Sequence, residues 1–101
     1  MKFNITNSDI NRGNRRDTSG CAIARSVRRT LKVQGIKINK IEVEVTQGML
    51  SIYKKGGQYP EVKVSLPKHA SSFVARFDNN EEVKPFVLQT RNIVKELTTV
   101  L

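Results

Sequence analysis

Residues 41–66, IEVEVTQGMLSIYKKGGQYPEVKVSL, decide the fold, because apolar and polar side chains alternate in three successive segments of this stretch. The segments are 41–45, 49–53 and 62–66, and a period of two residues is typical of strands with one buried face. Two short connectors that contain glycine separate them, as hairpin turns require. The stretch therefore predicts three consecutive antiparallel strands, the last of which ends at Pro67.

Upstream of these strands, the pattern changes to that of a helix between residues 19 and 33. Ile23, Val27 and Leu31 recur every four residues. At about 100° per residue they share one face, which predicts an amphipathic helix. Gly35 predicts its end.

The first residues predict a short strand followed by one helical turn. Phe3 and Ile5 alternate with polar residues, and residues 7–11 supply side chains that cap helices. We expect the turn to end at Gly13, where glycine is free to take a positive φ.

Helical spacing returns over residues 68–78, a further strand is predicted over 85–90, and Asn92 is placed to cap a terminal helix. Together these elements predict a single α+β domain over residues 1–101. In it, a small antiparallel sheet of about four to five strands packs against two main helices, with a short C-terminal helix.

Charge is concentrated near the start of the chain. The first 40 residues contain ten of the 18 Lys and Arg residues and only two acids, Asp9 and Asp17, so they carry eight of the nine net positive charges. The remaining residues are nearly neutral. A charge excess this local acts as an electrostatic field and indicates a polyanionic partner.

The basic loop and helix, residues 12–34, contain the candidate nucleic-acid-binding residues. Arginine grips phosphate through two hydrogen bonds, and the first N–H groups of a helix also attract phosphate. Seven phosphate contacts would give a slope of about −5 to −6 for log affinity against log salt. The alternative is that these cations only solvate the outward face of an ordinary helix. The set is Arg12, Arg15, Arg16, Arg25, Arg28, Arg29 and Lys32.

Readout of individual bases is not indicated, since no zinc finger, basic zipper or RNA-recognition motif occurs. Contact with the backbone of DNA or RNA is therefore expected. Tyr53 and Tyr59 flank a glycine turn and offer rings on which bases stack, unless Tyr53 belongs to a strand face.

Residues for catalysis are sparse. Cys21 lies at the start of the basic helix, where the helix dipole and Arg25 favour a thiolate, but it equally fits a small buried helix-start residue. The only histidine is His69, and residues 78–82 lack the pattern of a calcium loop. No phosphate-binding glycine loop or dinucleotide fingerprint occurs. We therefore expect no enzymatic activity, no metal and no cofactor.

The first residues lack the apolar stretch of a signal peptide, and no segment approaches the roughly 18 apolar residues of a membrane span. These absences predict a soluble, cytoplasmic protein without a membrane partner.

Four short stretches are familiar in combination: INRG at 10–13, CAIA at 21–24, ASSFVARFD at 70–78 and PF at 85–86. They resemble a family of small uncharacterised phage and bacterial proteins. Those proteins pair an I-x-x-G…C-P-I-A element with a downstream F-x-x-x-F-D…P-F element.

The resemblance spans about residues 3–89 and implies an accessory protein of a phage or mobile element, without implying an activity. This chain differs from the family pattern at Ala22, where the family has proline, and in its additional terminal helix. The arginine density is not part of the family pattern.

Two functions follow. The first is a non-enzymatic nucleic-acid-binding protein. The alternative is an inhibitor that binds an acidic host protein surface, for example on a nuclease or defence complex, as an anti-CRISPR-like factor does. The apolar end of the terminal helix, residues 97–101, also allows a homodimer.

Overall fold

The chain forms five strands and four α-helices, and the computed structural model describes all residues from Met1 to Leu101. In chain order the elements are β1 (Lys2–Ile5), α1 (Asn7–Arg12), α2 (Ala22–Val33), a 3₁₀ turn (Ile38–Lys40), β2 (Ile41–Val45), β3 (Met49–Lys54), β4 (Val62–Ser65), α3 (Lys68–Asp78), β5 (Phe86–Gln89) and α4 (Ile93–Val100).

All strand pairs are antiparallel. β2, β3 and β4 form a three-stranded sheet in chain order, with Val43 opposite Ile52. β1 pairs with β5, which places Phe3 opposite Leu88 and joins the two ends of the chain. The predicted α+β class is confirmed, with two main helices and a short C-terminal helix, and the strands divide between two sheets.

Helix α2 starts later than predicted and ends as predicted. It begins at Ala22 because Asp17 Oδ1 accepts hydrogen bonds from the backbone N–H groups of Ser19 and Gly20, which holds these residues in a turn.

At the other end of α2, Gly35 has a φ of 92°, in the left-handed region that favours glycine. Its N–H donates to the Lys32 carbonyl and that of Ile36 donates to the Leu31 carbonyl. This is a Schellman cap, which explains why the helix ends here.

Helix α1 ends at Gly13 as predicted, but the expectation of a positive φ there is wrong. The φ of Gly13 is −69°, so no left-handed conformation is involved. A Cβ at this position would lie 2.7 Å from both the Ala22 nitrogen and the Asp9 carbonyl oxygen. Gly13 is therefore required by the close approach of α1 to the start of α2.

The core lies between the helices and the two sheets. Leu31 of α2, Leu50 of β3 and Phe77 of α3 are fully or almost fully buried. In α4, Leu97 is also buried, whereas Leu101 after the helix is 44% exposed. The apolar face of α4 is thus mostly used within the chain, and self-association stays a prediction.

No helix combines the length and the apolar character that crossing a membrane requires.

Candidate nucleic-acid interface

The basic loop, residues 13–20, has a fixed shape. The Asn14 N–H donates to the Gly20 carbonyl across its base at 2.8 Å. The Asp17 carboxylate accepts hydrogen bonds from the backbone N–H groups of Ser19 and Gly20. A Cβ on Gly20 would lie 2.5 Å from this carboxylate. The loop therefore presents its arginines from a closed turn.

Both arginines of the loop lie against the C-terminal end of α3. The Arg16 N–H donates to Asp78 Oδ1 at 2.8 Å, and its guanidinium donates to the Asp78 carbonyl at 3.2 Å. The Arg15 guanidinium lies 4.8 Å from the centroid of the Phe77 ring, within the range of a cation–π contact. The negative end of the α3 dipole also favours cations here.

Arg29, on α2, forms a two-point ion pair with Asp9 of α1. Nη1 lies 2.5 Å from Asp9 Oδ1, Nη2 lies 2.8 Å from Oδ2, and Nη2 also donates to the Asn4 carbonyl. Asp9 is completely buried. A buried carboxylate is costly unless it is paired, so Arg29 stabilises the fold by compensating the charge of Asp9.

Asp9 is also bonded within its own helix. The Asp9 N–H donates to the Thr6 hydroxyl, and Oδ2 accepts from the Thr6 N–H and hydroxyl, which forms a capping box. Burial pushes the pKa of Asp9 upward, but the hydrogen bonds from Arg29 and Thr6 outweigh burial and hold it below its ordinary value.

Arg25 points to the same carboxylate without reaching it. Its Nε lies 3.8 Å from Asp9 Oδ1, is buried, and has no hydrogen-bond partner. Because Arg29 and Thr6 already occupy the Asp9 oxygens, Arg25 gains only a Coulomb attraction. We call Arg25 and Arg29 the inner pair.

The other five cations have no carboxylate within ion-pair distance. Arg28 is partly exposed and donates through one N–H to the Ser19 carbonyl, which is neutral and leaves its charge uncompensated. Arg12, at the end of α1, and Lys32 are exposed, and neither side chain makes a hydrogen bond or ion pair within the chain. We call these five, Arg12, Arg15, Arg16, Arg28 and Lys32, the outer set.

Cys21 is the N-terminal flanking residue of α2 and is only 6% exposed. It lines a cleft of about 190 Å³ beneath the basic loop. Burial raises the pKa of its thiol, which keeps it protonated and poorly nucleophilic. The buried helix-start alternative therefore describes Cys21 better than the thiolate.

His69 is not among the residues that line this cleft. It lies edge-on to the Phe86 ring, with the ring centroids 5.5 Å apart, and lines a separate groove with Arg76. Of the acids in 78–82, Asp78 bonds the basic loop, while Glu81 and Glu82 are exposed. The structure does not bring these groups together as one reactive site.

Sequence reasoning missed the partners of the arginines. Asp9 had a local signal, because Thr6 and Asp9 have the spacing of a capping box. No local sequence signal indicated Phe77 or Asp78 as partners, because they lie some 62 residues from the arginines that they contact. Tyr59 is 79% exposed, whereas Tyr53 lies within β3 and is partly buried.

No protein-family model, curated protein or solved structure matches the chain.

Proposed function

We propose that the chain is a non-enzymatic nucleic-acid-binding protein that contacts the phosphate backbone through the outer set. In keeping with its short sequence motifs, it would serve a phage or mobile element as an accessory factor. The observation that carries the proposal is five cations whose charged groups form no ion pair, on elements fixed by internal hydrogen bonds. Contacts within the chain also hold the side chains of Arg15, Arg16 and Arg28, so these three lose less entropy when they bind.

The electrostatic field of the basic segment supports this proposal. Its seven cations face only three carboxylates, Asp9, Asp17 and Asp78, so four positive charges are in excess. An excess on one surface attracts a polyanion and releases its counterions on contact.

The internal contacts of the outer set leave donors free for phosphate. An arginine has five N–H donors. Stacking on Phe77 uses only one face of the Arg15 guanidinium, so the N–H groups at its edge stay available. Arg28 uses one N–H on Ser19. These side chains are held in place and still able to bind.

The inner pair contributes less to binding in this proposal. Arg29 donates three of its five N–H groups to Asp9 and Asn4, and Asp9 compensates its charge. Five effective contacts replace the seven counted from sequence. The outer set alone is expected to give a slope of log affinity against log salt of about −4.5 for duplex DNA and about −3.5 for a single strand.

Fluorescence anisotropy with labelled DNA and RNA, each single- and double-stranded, tests the proposal at about 50 and about 200 mM salt. We expect binding at the lower salt and a loss of roughly 100- to 500-fold at the higher salt. Binding to none of the four probes, or binding that salt does not change, would contradict the proposal. The same series distinguishes DNA from RNA.

One observation favours the alternative, an inhibitor that binds an acidic host protein. Val33, next to Lys32 at the end of α2, is 80% exposed. An exposed apolar residue beside cations is compatible with a protein contact. A pull-down that survives nuclease treatment and is lost in Val33→Lys would favour the inhibitor, whereas loss on nuclease treatment would favour nucleic acid.

A further inference from the structure

A second cationic surface lies beyond the C-terminal end of α2. It consists of four exposed lysines, and we call it the lysine cluster. Two adjoining hollows share Lys40 and Leu101 among their lining residues, and the four lysines surround them. The members are Lys37, Lys40, Lys54 and Lys55.

The fold assembles this cluster from separate parts of the chain. The Lys55 N–H donates to the Lys40 carbonyl at 2.9 Å, which joins the β3 end to the 3₁₀ turn before β2. Lys54 pairs with Ile41 in the β2–β3 register. The sequence contains no continuous run of lysines that would predict this surface.

The four charges are almost uncompensated. The one carboxylate within ion-pair distance of these lysines is that of Glu61, whose Oε1 lies 4.0 Å from Lys54 Nζ. The other three lysines form no ion pair. The negative C-terminal end of the α2 dipole favours a nearby cation such as Lys37. It does not explain the presence of Lys54 and Lys55 at the end of β3. Gathering like charges costs folding free energy, and a bound polyanion would remove that cost.

The lysine cluster continues the outer set in space. The Gly35 N–H donates to the Lys32 carbonyl, and Gly35 lines the first hollow of the cluster. The 12 residues of α2 span about 18 Å. Cations therefore lie at the start of the helix, on its outward side and past its end.

We infer that the lysine cluster is a second contact for the phosphate backbone that the outer set binds. This inference rests on the proposed function and extends it. One nucleic-acid chain runs from the basic loop along α2 to the β2–β3 hairpin.

The test compares the salt dependence of binding for three proteins. The cluster variant is K37Q/K40Q/K55Q, which spares Lys54 because Glu61 already faces it. The control is K63Q/K68Q/K84Q, which removes three exposed lysines on β4, on α3 and in the loop before β5. The third is the unchanged chain, and thermal unfolding verifies that all three fold alike.

We expect the slope of log affinity against log salt to become shallower by about 2 on a single strand and about 3 on a duplex in the cluster variant. The control should keep the slope of the unchanged chain. Equal slopes in all three proteins, or equal losses in both variants, would overturn the inference and leave the proposed function standing. Failure of the unchanged chain to bind any probe would overturn both. If the triple variant unfolds, K40Q alone should shift the slope by about 0.7 to 0.9, and no shift would overturn the inference.

Discussion

Arg28 and Arg29 are neighbours on α2 and have opposite environments. Arg29 makes a two-point ion pair with a buried carboxylate, whereas Arg28 donates one N–H to a neutral carbonyl and keeps its charge. The difference is one of charge pairing: Asp9 compensates the inner pair, whereas no member of the outer set has a carboxylate within ion-pair distance. A cluster of arginines in a sequence is thus not a single functional unit, because one buried acid can divide it.

The outer set should produce the largest effect when it is changed. We expect R12Q/R28Q/K32Q to lose roughly 100-fold in affinity for a single strand, and roughly 500-fold for a duplex, at about 0.1 M salt, because three counterion-releasing contacts disappear. The free energy of unfolding should change by less than about 1 kcal/mol. Anisotropy and urea titration measure the two quantities.

K63Q/K68Q/K84Q removes the same number of charges and is the control for this variant. If both triple variants bind equally well, the outer set has no special role.

The inner pair is tested through its carboxylate. Asp9→Ala should lower the free energy of unfolding by about 2 kcal/mol, because α1 loses its capping box and two arginines, whose side chains are 32% and 45% exposed, lose their counter-charge. Glu81→Ala, at an exposed acid, should change stability by less than about 0.5 kcal/mol.

In the double variant D9A/R29A, the combined loss should be smaller than the sum of the single losses, as coupled residues require. If Asp9→Ala lowers the free energy of unfolding by less than about 1 kcal/mol, Asp9 does not stabilise the fold through the inner pair.

The approach of α1 to α2 positions Asp9 against the inner pair, and it depends on Gly13. Gly13→Ala should cost about 2 kcal/mol, since its Cβ would lie 2.7 Å from backbone atoms that belong to both helices. Gly48→Ala is the matched control, because nothing lies within 4 Å of its Cβ, and its effect should stay within about 0.5 kcal/mol. Equal stabilities of the two variants in thermal unfolding would contradict the close approach.

The smallest effect is a loss of stability in acid. The pKa of Asp9 is lower in the folded chain than in the unfolded chain, so the unfolded state takes up a proton first as the pH falls. The stabilisation is complete above a pH of about 4 and is lost progressively below it, through the folded pKa.

Urea titrations between about pH 6 and about pH 2 measure this loss, and Asp9→Asn should reduce it. Arg91 also lowers the pKa of Glu96, so Glu96→Gln removes that separate contribution. An acid dependence that Asp9→Asn leaves unchanged would contradict the assignment to Asp9.

Local patterns predicted most of the fold. The alternation in 41–66 and the four-residue spacing around Val27 specify their elements within a few residues, and both are confirmed. The pairing of β1 with β5 and the close approach at Gly13 involve partners that no local pattern identifies. The wrong expectation for Gly13 has this cause, since glycine serves both turns and close contacts.

The candidate site was predicted in part for the same reason. Its seven cations are contiguous enough in sequence to be recognised together, and whether they bind nucleic acid stays a prediction. Their division into inner pair and outer set depends on Asp9, whose burial is a tertiary property. The lysine cluster forms only when the β2–β3 hairpin brings Lys55 to Lys40.

The slope of log affinity against log salt for the unchanged chain tests the central claim most directly. Five outer cations predict a magnitude of at least about 3.5 on a single strand or about 4.5 on a duplex, and R12Q/R28Q/K32Q should reduce it by about 2 to 3. A slope near zero, or one that this variant leaves unchanged, would contradict the account.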